Sequence, residues 1–248
     1  MTTPRDLYIE LLIRVLANTI YEDGGHRGGY RTEIRREGRD WPSLAHTMVG
    51  IARLNNLRDL MQRTIDEKIA GDYIETGVWR GGCCILMRGI LAANLEPSRK
   101  VYVADSFEGL PPPHPDSFPV DEGSALHTVK ELAIPIDQVR ANFAKYDLLD
   151  DRVIFVKGFF KDTLPYLEPG PLALIRLDGD MYESTIQALA SLYPRVSPGG
   201  FVIIDDYAVK GCNQAVADYR TEQKITDPVM RVDWTGAWWQ KLPAITEN

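Results

Sequence analysis

The hydrophobic period of the chain changes near residue 70. Over 6–21, Leu7, Leu11, Ile13, Leu16 and Ile20 recur at broadly helical spacing and predict an amphipathic helix. Residues 22–42 are rich in glycine and charge and read as a loop with room for one short helical turn. Residues 42–69 again predict helix, with Ser43 as its N-cap. Beyond them, short apolar runs alternate with helical segments. Strands are expected at 71–78, 100–107, 152–160, 172–180 and 200–208, and helices at 81–95, 136–148, 183–196 and 211–224. The helix at 183–196 is expected to stop before Ser197, and 228–242 reads as one or two closing strands. The segment 109–126 holds five prolines, too many for regular structure. It is also long for a connection, and such segments inside α/β domains commonly carry function.

Strands alternating with helices imply an α/β fold with a mostly parallel sheet covered on both faces. Ligands of such sheets bind at the carboxyl ends of the strands, near the point where strand order reverses. The chain divides on this reading into an N-terminal helical segment, 1–70, and a core, 71–248. Composition changes this little: 248 residues, 44% hydrophobic and 25% charged, suit one large α/β domain. The net charge of −7 argues against nucleic acid and anionic membranes as partners. No run approaches the 18 or so apolar residues of a membrane span, and the N-terminus does not read as a signal peptide, so a cytoplasmic protein is expected. Cys83, Cys84 and Cys212 lack the spacing of a zinc or redox site and read as small buried hydrophobes.

Candidate chemistry collects at the predicted strand ends. In Glu75-Thr-Gly77-Val-Trp79-Arg-Gly81-Gly82, glycines let backbone approach a ligand ahead of a helix N-terminus. An ordinary βα turn has glycines too. Asp105 ends the second strand, where an acid accepts hydrogen bonds from ribose hydroxyls, although a solvated loop acid would sit there equally well. Gly158 and Phe159 end the third strand and offer an aromatic face to a purine, or to the core. Asp178 and Asp180 end the fourth strand, and Asp205 and Asp206 the fifth. Each pair alone could be turn, N-cap or loop-start acids; carboxylates gathered at adjacent strand ends call for a cation, and all-oxygen ligands favour Mg²⁺. His26, His46, His114 and His127 show no ligand spacing, and the Trp-rich run 234–239 reads as closing-strand core, with Trp238 or Trp239 placed to border a pocket as the alternative.

Taken together, "LNNL", "ETGVWRGG", "VADSF", "NFAKYDLLDD", "GFFKDT", "RLDGD" and "YPRVSPGGFVIIDDY" resemble the macrocin-type O-methyltransferases of antibiotic deoxysugars, over nearly the whole chain. The resemblance implies a Rossmann-like, seven-stranded S-adenosylmethionine-dependent methyltransferase with an N-terminal helical lid, using Mg²⁺ to methylate a sugar hydroxyl of a small-molecule glycoside. It implies Asp178, Asp205 and Asp206 as metal ligands and Asp180 as general base. It also implies Glu75, Gly77, Trp79, Asp105, Ser106, Gly158 and Phe159 as cofactor contacts, with Thr47, Asn55 and Asn56 in a segment folded over the cofactor. A homodimer or higher homo-oligomer fits such a lid. The chain departs from the family pattern around 24–41 and 109–126, the regions expected to shape the acceptor pocket. Two other readings stand beside it: a Mg²⁺-dependent catechol-type methyltransferase, against which the Asp205–Asp206 pair weighs, and a catalytically silent adenosyl-binding module.

Overall fold

The computed structural model describes residues 2–25 and 28–243; His26 lies outside them. Helix α1 (Pro4–Leu16) opens with a capping box in which the Thr3 hydroxyl accepts the Asp6 N–H and the Asp6 carboxylate accepts the Thr3 N–H. Its core face is Ile9, Leu12, Ile13 and Leu16, whereas Leu7 and Leu11 are exposed and Ile20 lies past the helix end. The predicted apolar stripe was therefore rotated by about one position: Ile9 and Leu12, not Leu7 and Leu11, complete the 3–4 spacing with Ile13 and Leu16.

After the short α2 (Thr32–Glu37), helix α3 runs from Ile51 to Asp66 with Gly50 at its N-cap. The expected start at Ser43 is wrong. The Leu44 and Ala45 amides go to the Asp23 carboxylate and the His46 N–H to the Leu16 carbonyl, while the Val49 N–H, which a helix begun at Ser43 would direct to the Ala45 carbonyl, goes to the Thr47 hydroxyl, and Gly50 is extended (ψ 157), so helix starts only after Gly50. Asp23 in turn pairs with Arg35, whose buried guanidinium also binds Asp40 and the Ala17 carbonyl. That network ties the segments 17–25 and 28–45 together as a strap.

The core alternates β1 (Asp72–Thr76), α4 (Gly82–Ala93), β2 (Val101–Asp105), α5 (Ile136–Ala144), β3 (Val153–Lys157), α6 (Phe160–Thr163), β4 (Leu172–Leu177), α7 (Tyr182–Leu192), β5 (Val196–Ile204) and α8 (Lys210–Glu222). A hairpin of β6 (Met230–Arg231) and β7 (Ala237–Gln240) closes the chain. The sheet order is β3-β2-β1-β4-β5-β7-β6, parallel except for β7 against β5 and β6 against β7. Order reverses between β1 and β4, which places the expected binding crevice above those two strands. Residues 197–200 lie inside β5 rather than before it. The short α6, where strand was expected to persist, begins because Phe159 and Phe160 turn away from the ladder after Gly158 (φ +141).

Tyr73, Val103 and Leu174 face a core shared with α1, α3 and α4; Ile74, Tyr102 and Ile175 face one shared with α7 and α8. The proline-rich segment is packed rather than free. It contains a 3₁₀ turn at Pro119–Asp121, and the buried Asp121 carboxylate accepts the Tyr182 and Glu183 N–H groups, capping α7 from a distance.

His46 sits 2.6 Å from the Tyr146 hydroxyl, and burial, aided by Lys145 and Arg80, holds its pKa down at about 4. The unfolded chain thus binds a proton at this site between about pH 6.5 and 4 that the folded chain refuses. Stability is expected to fall as pH drops through that window. Denaturant midpoints of the wild type and His46→Gln should converge on acidification; an unchanged difference between pH 7 and 4.5 would show that His46 does not contribute.

Candidate active site

The carboxyl ends of β1, β2, β4 and β5 open onto one cavity of about 310 Å³, roofed by the strap around Gly38, Trp41 and Thr47–Val49. The β1 turn is its tightest part. Gly77 holds φ +80, and a Cβ there would stand 1.7 Å from the Asp178 carbonyl oxygen. Gly82 faces residues 46–47 less tightly, with a Cβ position 2.5 Å from the His46 carbonyl oxygen. Glycine is needed at both places because backbone meets backbone. Gly77→Ala is therefore expected to cost at least about 2 kcal/mol and to lose adenosyl binding. Thermal unfolding together with calorimetry against S-adenosylhomocysteine checks this; a variant that is stable and binds normally contradicts it.

Asp105 lies beside this turn. Its carboxylate accepts the Val78 and Phe107 N–H groups, each at 2.7 Å. Burial raises its pKa, and those backbone donors oppose the rise. Ser106 donates to the Gly109 carbonyl at 2.6 Å, fixing the loop that follows β2. Trp79 (φ +46) is held by its indole N–H on the Glu131 carbonyl and by Arg80 stacked 4.2 Å from its ring. Arg80 also donates to the Pro42 and Ala45 carbonyls, tying the turn to the strap.

Of the residues expected at the cofactor, Thr47, Glu75, Gly77, Trp79, Asp105, Ser106 and Phe159 border the cavity. Gly158 precedes Phe159 in the chain and is not among the lining residues. Asn55 and Asn56 lie on α3 away from the lining, with their side-chain oxygens buried and unpartnered. Glu75 reaches the cavity wall only from within the core. It is 2% exposed, and its oxygens accept from Arg176 at 2.5 Å and from the Cys84 thiol at 2.8 Å. Burial pushes its pKa up to about 7 against the pull of Arg176.

Asp178, Asp205 and Asp206 offer oxygens within 4.8 Å of one another. Asp180 lines the same wall in a left-handed conformation (φ +57), and its N–H donates to the Asp206 carboxylate at 3.1 Å. Two arginines that the sequence reading did not single out hold part of this cluster. Arg176, the one charged residue of the otherwise apolar β4, bonds Glu75, Asp178 and Asp205. Arg53 of α3 bonds Asp205 and Asp233. Strand alternation explains Arg176: it follows Leu174 on the face of β4 that pairs with Glu75 of β1. A lone arginine in a buried strand was a visible signal. Arg53 had none, because a charged residue on an amphipathic helix ordinarily faces water.

Of five carboxylates (Glu75, Asp178, Asp180, Asp205, Asp206), three thus share two guanidiniums. Asp206 and Asp180 receive no cationic partner among the described residues. Burial and the neighbouring acids raise Asp206 well above the carboxylate range and Asp180 to about 7, and Asp178 is raised for the same reasons despite Arg176. The donor set is all oxygen, converging and short of positive charge, which fits a hard divalent cation.

A mostly parallel seven-stranded sheet with one reversed strand, a glycine turn after β1 and an acid at the end of β2 define an S-adenosylmethionine-dependent methyltransferase. The structure superposes on that of the O-methyltransferase NovP with a TM-score of 0.94 at 50% identity, covering 96% of this chain and 100% of that one. The calicheamicin methyltransferase CalS11 shares the fold at a TM-score of 0.63 and 19% identity, covering 97% of this chain and 94% of that one. The chain belongs to the macrocin-O-methyltransferase (TylF) family, whose profile matches residues 25–241. It is 52% identical over 97% of its length to an 8-demethyl-8-(2,3-dimethoxy-α-L-rhamnosyl)-tetracenomycin-C 4′-O-methyltransferase of Streptomyces olivaceus, covering 94% of that protein. It is 50% identical over 95% of its length to the demethyldecarbamoylnovobiocin O-methyltransferase of Streptomyces niveus, covering 93% of that protein. To the mycinamicin III 3″-O-methyltransferase of Micromonospora griseorubida it is 44% identical, over 97% of this chain and 98% of that one. The protein is an S-adenosylmethionine-dependent O-methyltransferase, and no helix among its described residues is long and apolar enough to cross a membrane.

Proposed function

We propose that this enzyme methylates a hydroxyl of a deoxysugar carried by a small-molecule natural product, with Mg²⁺ held by Asp178, Asp205 and Asp206 and with Asp180 as general base. The observation that carries this reading is the excess of carboxylates at the ends of β4 and β5, opening on the same cavity as the β1 turn. The tetracenomycin relative, whose name specifies a rhamnosyl unit, supports a sugar acceptor. When bound, S-adenosylmethionine supplies an electrophilic methyl group, and a divalent ion supplies charge that acidifies a sugar hydroxyl.

The chain's own part is positioning and proton transfer. Asp105 accepts the ribose hydroxyls with the lone pairs its backbone donors leave free. The Gly77 turn admits the amino-acid end of the cofactor, and Phe159 borders the adenine. Asp180, with no guanidinium partner among the described residues, takes the acceptor's proton. Arg176 and Arg53 hold Asp178 and Asp205 in place. Residues 1–70 contribute the roof through 38–49, so that segment acts as the lid over the bound cofactor. The exposed Leu7, Tyr8 and Leu11 of α1 favour contact with a second copy of the chain, which light scattering tests.

Exhaustive chelation is expected to cut turnover at least about 10²-fold while S-adenosylhomocysteine still binds, and added Mg²⁺ should restore it. Turnover undiminished by chelation overturns the metal reading. Assaying a rhamnoside beside a catechol separates the sugar reading from the catechol one.

A further inference from the structure

Asp180 stands between β4 and α7 with φ +57, a conformation that persists where both flanks hold it. On one side, its own N–H is held by the Asp206 carboxylate. On the other, only Met181 separates it from α7, and that helix begins without a side-chain cap of its own. The amides of Tyr182 and Glu183, the first two residues of the helix, have no partner within it. Both go to one buried carboxylate, that of Asp121, which lies 61 and 62 residues earlier in the chain. Its Oδ1 accepts the Tyr182 N–H at 2.8 Å and its Oδ2 accepts the Glu183 N–H at 2.9 Å. Two acceptor oxygens meet two donors, and the negative charge suits the positive end of a helix. A Cβ on Gly211, the second residue of α8, would stand 2.7 Å from that Oδ1 and 2.9 Å from the Tyr182 nitrogen. The carboxylate is thus clamped between the helix that follows Asp180 and the helix that follows Asp206.

Asp121 reaches this place on the segment 106–131, whose two ends are held beside the cofactor side of the cavity. The Ser106 hydroxyl donates to the Gly109 carbonyl, and the Glu131 carbonyl accepts the Trp79 indole N–H. Between them Gly109, Leu110, Pro111 and Leu126 line the cavity. The middle of the segment grips the first turn of α7 at two further points. The Phe118 ring lies 5.8 Å from that of Tyr182, and His114 Nδ1 lies 2.7 Å from the Glu183 carboxylate. All three contacts fall on the second and third residues after Asp180.

We propose that Asp121 is a positioning residue for methyl transfer: it fixes the first turn of α7 and, through Met181, the left-handed Asp180, so that the base is in place only while the segment 106–131 is seated. The inference rests on the reading of Asp180 as general base and adds to it the residue that sets that base. One loop then joins cofactor binding to base placement, with Trp79 and Ser106 at its ends and α7 at its middle.

The test is a cycle of Asp121→Ala, Asp180→Asn and the double variant. It is read by single-turnover methyl transfer to whichever of the rhamnoside and the catechol the wild type methylates, with calorimetry for S-adenosylhomocysteine and for Mg²⁺. Asp121→Ala is expected to slow the chemical step by roughly 10–10²-fold, the scale of a misplacement of about 1 Å, with both affinities within about twofold of the wild type. Asp121→Asn keeps one acceptor oxygen for the two N–H groups and should fall between the two. In the Asp180→Asn background, Asp121→Ala should cost less than about threefold, because a residue that acts through the base has nothing left to place. The same factor in both backgrounds makes Asp121 purely structural and overturns the inference, as does wild-type turnover in Asp121→Ala or a loss confined to adenosyl binding. If Asp121→Ala lacks a cooperative unfolding transition, Asp121→Asn carries the same cycle. Hydrogen exchange reads the contact without an acceptor: the Tyr182 and Glu183 amides should exchange at least about tenfold faster once Asp121 is replaced, and unchanged exchange overturns the inference. Near-normal turnover of Asp180→Asn by itself removes the base reading, and the inference falls with it.

Discussion

Asp180→Asn is expected to lower turnover by roughly 10²–10⁴-fold, the range for loss of a general base, while adenosyl binding stays close to that of the wild type. Asparagine is the informative replacement. Residue 180 sits at φ +57, a conformation that asparagine adopts as readily as aspartate and that most other residues resist. The backbone N–H that donates to Asp206 is kept, so the acid cluster is not disturbed through the main chain. Single-turnover methyl transfer, together with calorimetry for S-adenosylhomocysteine and for Mg²⁺, separates the outcomes. A slow enzyme that binds both normally supports the base assignment. A slow enzyme with weakened metal binding makes Asp180 a ligand instead, and near-normal turnover removes it from the chemistry.

The second large effect is expected at Arg176. Arg176 is 2% exposed and bonds three carboxylates, one in β1 and two just past the ends of β4 and β5. Removing one side of a buried ionic network leaves its partners uncompensated, and such losses typically cost 3–5 kcal/mol. Arg176→Met is therefore expected to lower stability by about that amount, read as a shift in the urea midpoint at constant slope. Arg176→Lys should recover only part of it, because a single ammonium cannot meet Glu75, Asp178 and Asp205 at once. The double replacement Glu75→Gln with Arg176→Met tests the coupling: if Glu75 and Arg176 act as a pair, the double variant costs less than the sum of the singles. A loss below about 1 kcal/mol for Arg176→Met would mean that the acids are held neutral without it. The same variant should weaken metal binding, since Asp178 and Asp205 both lose a partner that orients them.

Much of the fold follows from local pattern. The period of two or of 3.6, the glycines after β1 and the proline content of 109–126 act over a few residues, so the chain displays them directly. Where expectation and structure part, a distant group is responsible. Residues 43–50 carry a helix-like composition, yet Asp23 anchors their start, and Gly50, extended, packs backbone to backbone against Glu37, so the helix begins only after it. The stripe on α1 was misplaced because Leu7 and Ile9 are equally apolar; only the packing of α4, where Gly89 admits Leu12, decides which faces the core. In the run 234–239, Trp239 is core as expected, while Trp234 turns to the cavity, pinned by the Glu37 carbonyl.

The candidate site divides along the same line. The acids at the ends of four strands were legible, because in a parallel sheet all strand ends share one edge, and a residue's place in its strand sets its place at that edge. The chain by itself thus determined the class of enzyme, the edge on which it works and the acids gathered there. The tertiary structure alone decided how those acids are balanced: Arg53 reaches Asp205 across 152 residues and Glu75 meets Arg176 across 101. Pairings of that kind depend on which elements pack together, and charge compensation between strands leaves no periodic trace in the order of residues along one of them.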